Sequence, residues 1–116
     1  MLLQAAQAGD AAGLTRALQS GEQPTVVDAQ GNTALHFCAK RGSQPGLQLL
    51  IQAKANINAQ NAVGATALVY AAQCNFPAAV QLLLQHQARP DIATRKGKTA
   101  LMVAQEKGLP GVIAIL

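Results

Sequence analysis

Three stretches of the chain return at a fixed interval of 33 residues. DAQGNTALHFCAKRG begins at Asp28, NAVGATALVYAAQCN at Asn61 and TRKGKTALMVAQEKG at Thr94. Gly31, Gly64 and Gly97 fall in register, as do Thr33, Thr66 and Thr99, and then Leu35, Leu68 and Leu101. Residues 28–60 laid over 61–93 share 11 identities, where composition alone gives about three. A period of this length means that one small unit is copied and stacked. Each copy then buries its apolar face against its neighbours and not within itself.

Within a unit the apolar spacing is helical. Leu35, Cys38 and Ala39 share one face, and Leu47, Leu49, Leu50 and Ile51 mark a second helix. The next unit repeats this with Leu68, Ala71 and Ala72, then Val80, Leu82, Leu83 and Leu84. Gly42, Asn75 and Gly108 break the two helices apart. Thr33 stands where a hydroxyl can accept the free amides of an opening helical turn, a cap worth about 1 kcal/mol. His36 follows three residues later, placed to reach back to that turn as a structural brace. Residues 55–61 and 88–94 are too polar and short for a third helix, and each runs on to a glycine expected at positive φ.

The period extends backwards, with Ala5, Ala6 and Gly9 opposite Cys38, Ala39 and Gly42. Residues 1–21 therefore read as an N-terminal capping helix pair, 22–54 and 55–87 as full repeats, and 88–116 as an incomplete C-terminal repeat. Together they form a single domain over 1–116. The last unit ends V-I-A-I-L without a polar cap. Either further repeats follow it, or that edge packs on another surface such as a second copy.

Ala (24) and Gln (14) make up a third of the chain, and aromatics only 3%. Small residues favour closely packed helices, and an apolar half excludes disorder. Two cysteines make neither a disulfide scaffold nor a metal pattern. Cys38 reads as an inert core residue and Cys74 as an exposed one without an activating neighbour. His86 is placed to interact with carbonyls at the end of a second helix. Asp10, Glu22, Asp28, Asp91 and Glu106 are scattered, so no carboxylate pair for acid–base work is expected. The start MLLQAAQAGD lacks the basic-then-apolar signature of a secretory signal, and no 18-residue apolar run exists. The expectation is an intracellular protein of the cytoplasm or nucleus, without cofactor, metal, enzymatic activity, small-molecule substrate or membrane partner.

The period, G-x-T-A-L-H at 31–36, the runs L-L-I and L-L-L, and A-N-I-N-A at 55–59 together resemble ankyrin repeats. The resemblance covers essentially the whole chain. It departs from the family where Ala34, Ala67 and Ala100 replace a proline. It departs again where Lys54 and Gln87 replace the glycine, kept at Gly21, that follows a second helix. Those two positions are expected to loosen the finger turns. The resemblance implies an all-α, L-shaped solenoid of about 3.5 helix-turn-helix units with β-turn finger loops. It also implies partner binding through the groove of finger turns and first helices.

Mapped onto this chain, the partner-binding positions are Asn32, Lys40 and Arg41 in the first full unit. They continue with Ala62, Val63, Ala65, Gln73 and Cys74, then Arg95, Lys96, Lys98 and Lys107. Six of the nine Lys/Arg residues lie on these groove positions. An apolar centre at Ala62, Val63 and Ala65 with a basic end suits an acidic-and-apolar segment of a partner protein. Self-assembly through the apolar C-terminal edge is the second reading. An anionic nucleic-acid ligand is the weakest, because Phe37, Tyr70 and Phe76 are too few for a stacking platform. By the same resemblance, Asn58 after Ile57 is similar to a finger-turn asparagine that is hydroxylated in the family. Its ordinary role is to hydrogen-bond the turn.

Overall fold

The computed structural model describes all 116 residues. Eight helices follow one another without a strand: α1 Leu2–Ala8, α2 Ala11–Gln19, α3 Ala34–Arg41, α4 Gln44–Gln52, α5 Ala67–Gln73, α6 Pro77–Gln85, α7 Ala100–Lys107 and α8 Pro110–Ile115. None exceeds nine residues, and isolated helices under about 12–15 residues are marginal in water. Their order therefore comes from packing. α1, α3, α5 and α7 lie side by side in one layer, and α2, α4, α6 and α8 lie side by side behind them. The result is an all-α repeat solenoid about 40 Å long and 25 × 22 Å across.

Capping side chains set where five of the eight helices begin. The hydroxyls of Thr33, Thr66 and Thr99 accept the amides of His36, Val69 and Met102 at 3.3–3.4 Å. In the second layer Asp10 caps α2 through the Gly13 amide and Ser43 caps α4 through the Gly46 amide. α6 and α8 lack a polar cap. Phe76 and Leu109 precede them, and each opens on a proline, which brings no amide to satisfy.

The helix ends correct one expectation. Lys54 (φ +68°) and Gln87 (φ +71°) adopt the left-handed conformation that Gly21 adopts at the same register. The amide of Lys54 donates to Ile51 and that of Ala55 to Leu50, while Gln87 donates to Leu84 and Ala88 to Leu83. Both ends close as full Schellman motifs, so the turns keep the hydrogen bonds that a glycine cap would give them. The cost is held in the backbone of two non-glycine residues.

Of the 25 buried apolar side chains, 13 are alanine, eight leucine, three valine and one cysteine. The alanines sit where first-layer helices touch, at Ala34 and Ala39, at Ala67, Ala71 and Ala72, and at Ala100 and Ala104. Leu14, Leu47, Leu50, Val80, Leu83 and Val112 fill in from the second layer. Leu2, Leu35 and Leu68 fill the same space from the first layer, and the alanines between them give the close packing that an Ala-rich chain allows. Phe76, half-buried, covers the turn of the preceding repeat. A side chain at Gly42 would come within 2.5 Å of the Phe76 ring, which is why no side chain fits there.

Between units the chain folds out into three finger turns. In each, two backbone bonds close the loop: Asp28 to Asn32 and Gly31 to Asp28, Asn61 to Ala65 and Gly64 to Asn61, Thr94 to Lys98 and Gly97 to Thr94, the first-named residue donating. The fingers are joined in a row. The Ala62 amide donates to Gln30 at 2.9 Å, and the Arg95 amide to Val63 at 3.0 Å. In the last repeat Val112 is buried, while Ile113, Ile115 and Leu116 are only half-buried. No helix is long and apolar enough to cross a membrane.

Candidate functional site

The stacking of fingers beside first-layer helices leaves a hollow between the second and third repeats. It is a cleft of about 540 Å³. Its wall is the second finger, with Ala62 and Val63 exposed at the tip. Its floor is Ala65, Val69 and Tyr70 from the second repeat and Val103 from α7. Thr94, Arg95, Lys96 and Lys98 of the third finger line the opposite wall, and Gln73 and Lys107 stand at the helix ends.

Eight of the twelve positions expected from the sequence thus meet in one place, and four do not. Asn32 is buried. Its amide and side chain donate to the Asp28 carboxylate at 2.8 and 3.3 Å, and its Oδ1 accepts from Asn61 Nδ2 at 2.7 Å. It holds the first two fingers together because it points along the finger row and not into the groove. Arg41 lies over Gly9 and donates to the Gln7 carbonyl at 3.0 Å, strapping the second helix pair to the first. Cys74 is exposed at the end of α5, outside the cleft. Lys40 lies beside the cleft with its ammonium 4.3 Å from the centre of the Tyr70 ring, a cation–π contact. Ala65, expected as part of the apolar surface, is only 2% exposed. Its methyl is spent on packing, and the apolar contact area belongs to Val63, Tyr70 and Val103.

Tyr70, Val69 and Val103 were not among the expected positions. Tyr70 and Val103 share a register with Phe37, a large apolar residue that recurs two positions after Leu35, Leu68 and Leu101. That recurrence was the available signal. The Tyr70 ring meets His36 edge-on at 5.8 Å, and its hydroxyl accepts from Asn61 Nδ2 at 2.6 Å. Asn61 in turn accepts the amides of Val63 and Ala65 at 3.1 and 2.9 Å. The cleft floor and the second finger are therefore one hydrogen-bonded unit.

The charge of the site is one-sided. Lys98 pairs with Glu106, whereas Arg95, Lys96 and Lys107 have no carboxylate partner. Away from the cleft, hydrogen bonds from Arg89 hold the Asp91 carboxyl below its usual value. Desolvation pushes Asp28 up, but hydrogen bonds from Asn32 and Gln30 outweigh it and leave the carboxyl below its ordinary value. Cys38 is buried, and burial pushes its thiol up to about 11, so it stays protonated near neutral pH. Asn58 accepts from the Arg89 amide at 2.8 Å, a bond across to the next repeat. No three His, Cys, Asp or Glu side chains gather in a metal-binding arrangement.

The family model for ankyrin repeats, in three copies, matches residues 2–94 and 45–116. No curated protein matches the chain.

Proposed function

The chain belongs to the ankyrin repeat family, and from that premise we propose that it binds a segment of a partner protein in the cleft between its second and third repeats. Ankyrin repeats are generally protein–protein interaction modules, and stacked repeats present extended surfaces for that purpose. The observation that carries the reading is the composition of this cleft. An apolar surface of Tyr70 and Val103 on the floor and Val63 on the wall lies beside Arg95, Lys96 and Lys107, three cations without carboxylate partners. An extended segment carrying an aliphatic anchor flanked by acidic residues matches both halves. The anchor is desolvated on the floor, and the charges steer its approach.

Selection from a random-peptide display library tests this. The wild-type protein should enrich peptides with an aliphatic pair next to Asp or Glu, and a Lys96→Glu/Lys107→Glu variant should release them. Peptides retained equally by both proteins would exclude the cleft.

A second reading concerns the edge formed by α7 and α8. Leu101, Ile113 and Leu116 are half-buried, while their counterparts Leu68, Val80 and Leu83 are buried by the following repeat. Association of this edge with another copy would appear as a concentration-dependent sedimentation coefficient, and a constant monomer value would reject it.

A further inference from the structure

We propose that Glu106 tunes the cleft by engaging Lys98 at its edge, so that an anionic ligand must compete with the Glu106 carboxylate for the Lys98 ammonium. This rests on the reading of the cleft as a site for an acidic segment.

Lys98 stands on a ridge between two hollows. On one side is the cleft, and on the other is an outer recess of about 320 Å³ shared with Lys96, Met102 and Gln105. Glu106 borders only the recess and Lys107 only the cleft. Lys98 lines both hollows, but its charge is taken up by Glu106 on the recess side, so the cations free to meet a ligand in the cleft are Arg95, Lys96 and Lys107.

The position of Glu106 is itself unusual. It sits in the last turn of α7, two residues before the left-handed Gly108. The carbonyl end of a helix disfavours a carboxylate there. The same register holds Lys40 in the first full repeat and Gln73 in the second. The register of Lys98 holds Asn32 and Ala65, so neither earlier repeat can form the pair. An acid is thus placed against the local electrostatic preference, on the one repeat that carries the basic cluster, where it meets Lys98. Lys98 and Glu106 are 41% and 53% exposed, so the pair exchanges readily with a competitor. Breaking an exposed pair of this kind changes affinity by up to about five-fold.

The test uses a fluorescein-labelled, end-capped peptide, Asp-Glu-Leu-Leu-Glu-Asp, followed by anisotropy. In ~0.1 M salt, Glu106→Gln should bind it about three- to five-fold more tightly than wild type, and in ~1 M salt the gain should vanish. In a Lys98→Gln background the same change should gain less than about two-fold, since only the direct repulsion by Glu106 remains. An equal gain with and without Lys98 overturns the proposal and leaves the cleft intact. Binding unchanged by Lys96→Glu/Lys107→Glu overturns the cleft and the proposal together. So does a short oligothymidylate that binds wild type as tightly as the peptide, because charge alone would then suffice.

Discussion

The His36 Nε2 lies 2.9 Å from the carbonyl oxygen of Ala65, one repeat further along the chain. Its other ring nitrogen, Nδ1, accepts the Thr33 amide at 3.0 Å. A carbonyl can only accept and an amide can only donate, so the two contacts together select the neutral ring with its proton on Nε2. One side chain thus closes the start of α3 and holds the floor of the cleft. Burial pushes its pKa down, and the bond to Ala65 partly offsets that.

A pH dependence follows from this ring. The folded-state pKa lies below the unfolded value of about 6.5, so the unfolded chain takes up the extra proton. The stability contributed by neutral His36 is complete above about pH 6.5 and falls as the pH drops towards the folded-state value, by at most about 1.4 kcal/mol per unit. Asp28 loses its contribution only below about pH 4, a separate window. Denaturant melts at several pH values between about 7.5 and 5 should show the wild type weakening on acidification. His36→Val should be less stable by about 1–3 kcal/mol at neutral pH and nearly flat across the same window. Parallel curves for the two proteins would exclude this role for the ring.

Leu68 and Leu101 occupy the same register, but Leu68 is 1% exposed and Leu101 only half-buried. The difference is the following repeat, which covers one and not the other. Leu68→Ala should cost about 2–5 kcal/mol by loss of transfer energy and creation of a cavity. Leu101→Ala should cost less than half as much, because its site is open to collapse and to water. Chemical denaturation of the two variants compares them directly, and equal losses would contradict the register.

The repeat, the helix pairs and the threonine caps were legible in the sequence because identical local chemistry recurs in register at Thr33, Thr66 and Thr99. The hydrogen bond from His36 to Ala65 was not legible. It spans 29 residues and depends on how far one repeat is rotated against the next. The same reason hid Asn32, whose residue type suits an exposed turn, while its actual partner Asn61 belongs to the next finger. Tyr70 packs on its neighbours, but its exposed edge becomes cleft floor only once the third finger stands opposite. The pairing of Lys98 with Glu106 likewise joins a finger to a helix end, so it depends on how the third finger folds back beside α7.

Lys54 and Gln87 hold left-handed φ values of +68° and +71°, a conformation costing non-glycine residues about 1–2 kcal/mol. Glycine removes that cost but adds freedom to the unfolded chain, worth about 0.5–1 kcal/mol. Each of Lys54→Gly and Gln87→Gly should therefore stabilise the protein by about 0.5 kcal/mol, and the pair by about the sum. The check is the denaturation midpoint at constant slope. A fall in the midpoint would mean that the side chains contribute more than their backbones cost.

Asn61 is the point where finger and cleft are joined, and all its hydrogen-bonding capacity is used. Its Oδ1 accepts two amides of its own finger, and its Nδ2 donates to Asn32 and to the Tyr70 hydroxyl. Removing it strands the buried Ala65 amide and the Asn32 oxygen together, and each stranded buried group costs about 1–3 kcal/mol. Tyr70→Phe removes only the hydroxyl and leaves Asn61 three partners, so its cost should stay within about 1.5 kcal/mol. Asn61→Ala should therefore destabilise by about 2–4 kcal/mol and loosen the second finger, visible as faster amide exchange at Val63 and Ala65. Because Val63 forms the cleft wall, the same substitution should also weaken capture of an acidic peptide, whereas Tyr70→Phe should leave it within about two-fold. If Asn61→Ala lost stability without faster exchange in the finger, the coupling between the finger and the cleft floor would have to run through some other residue.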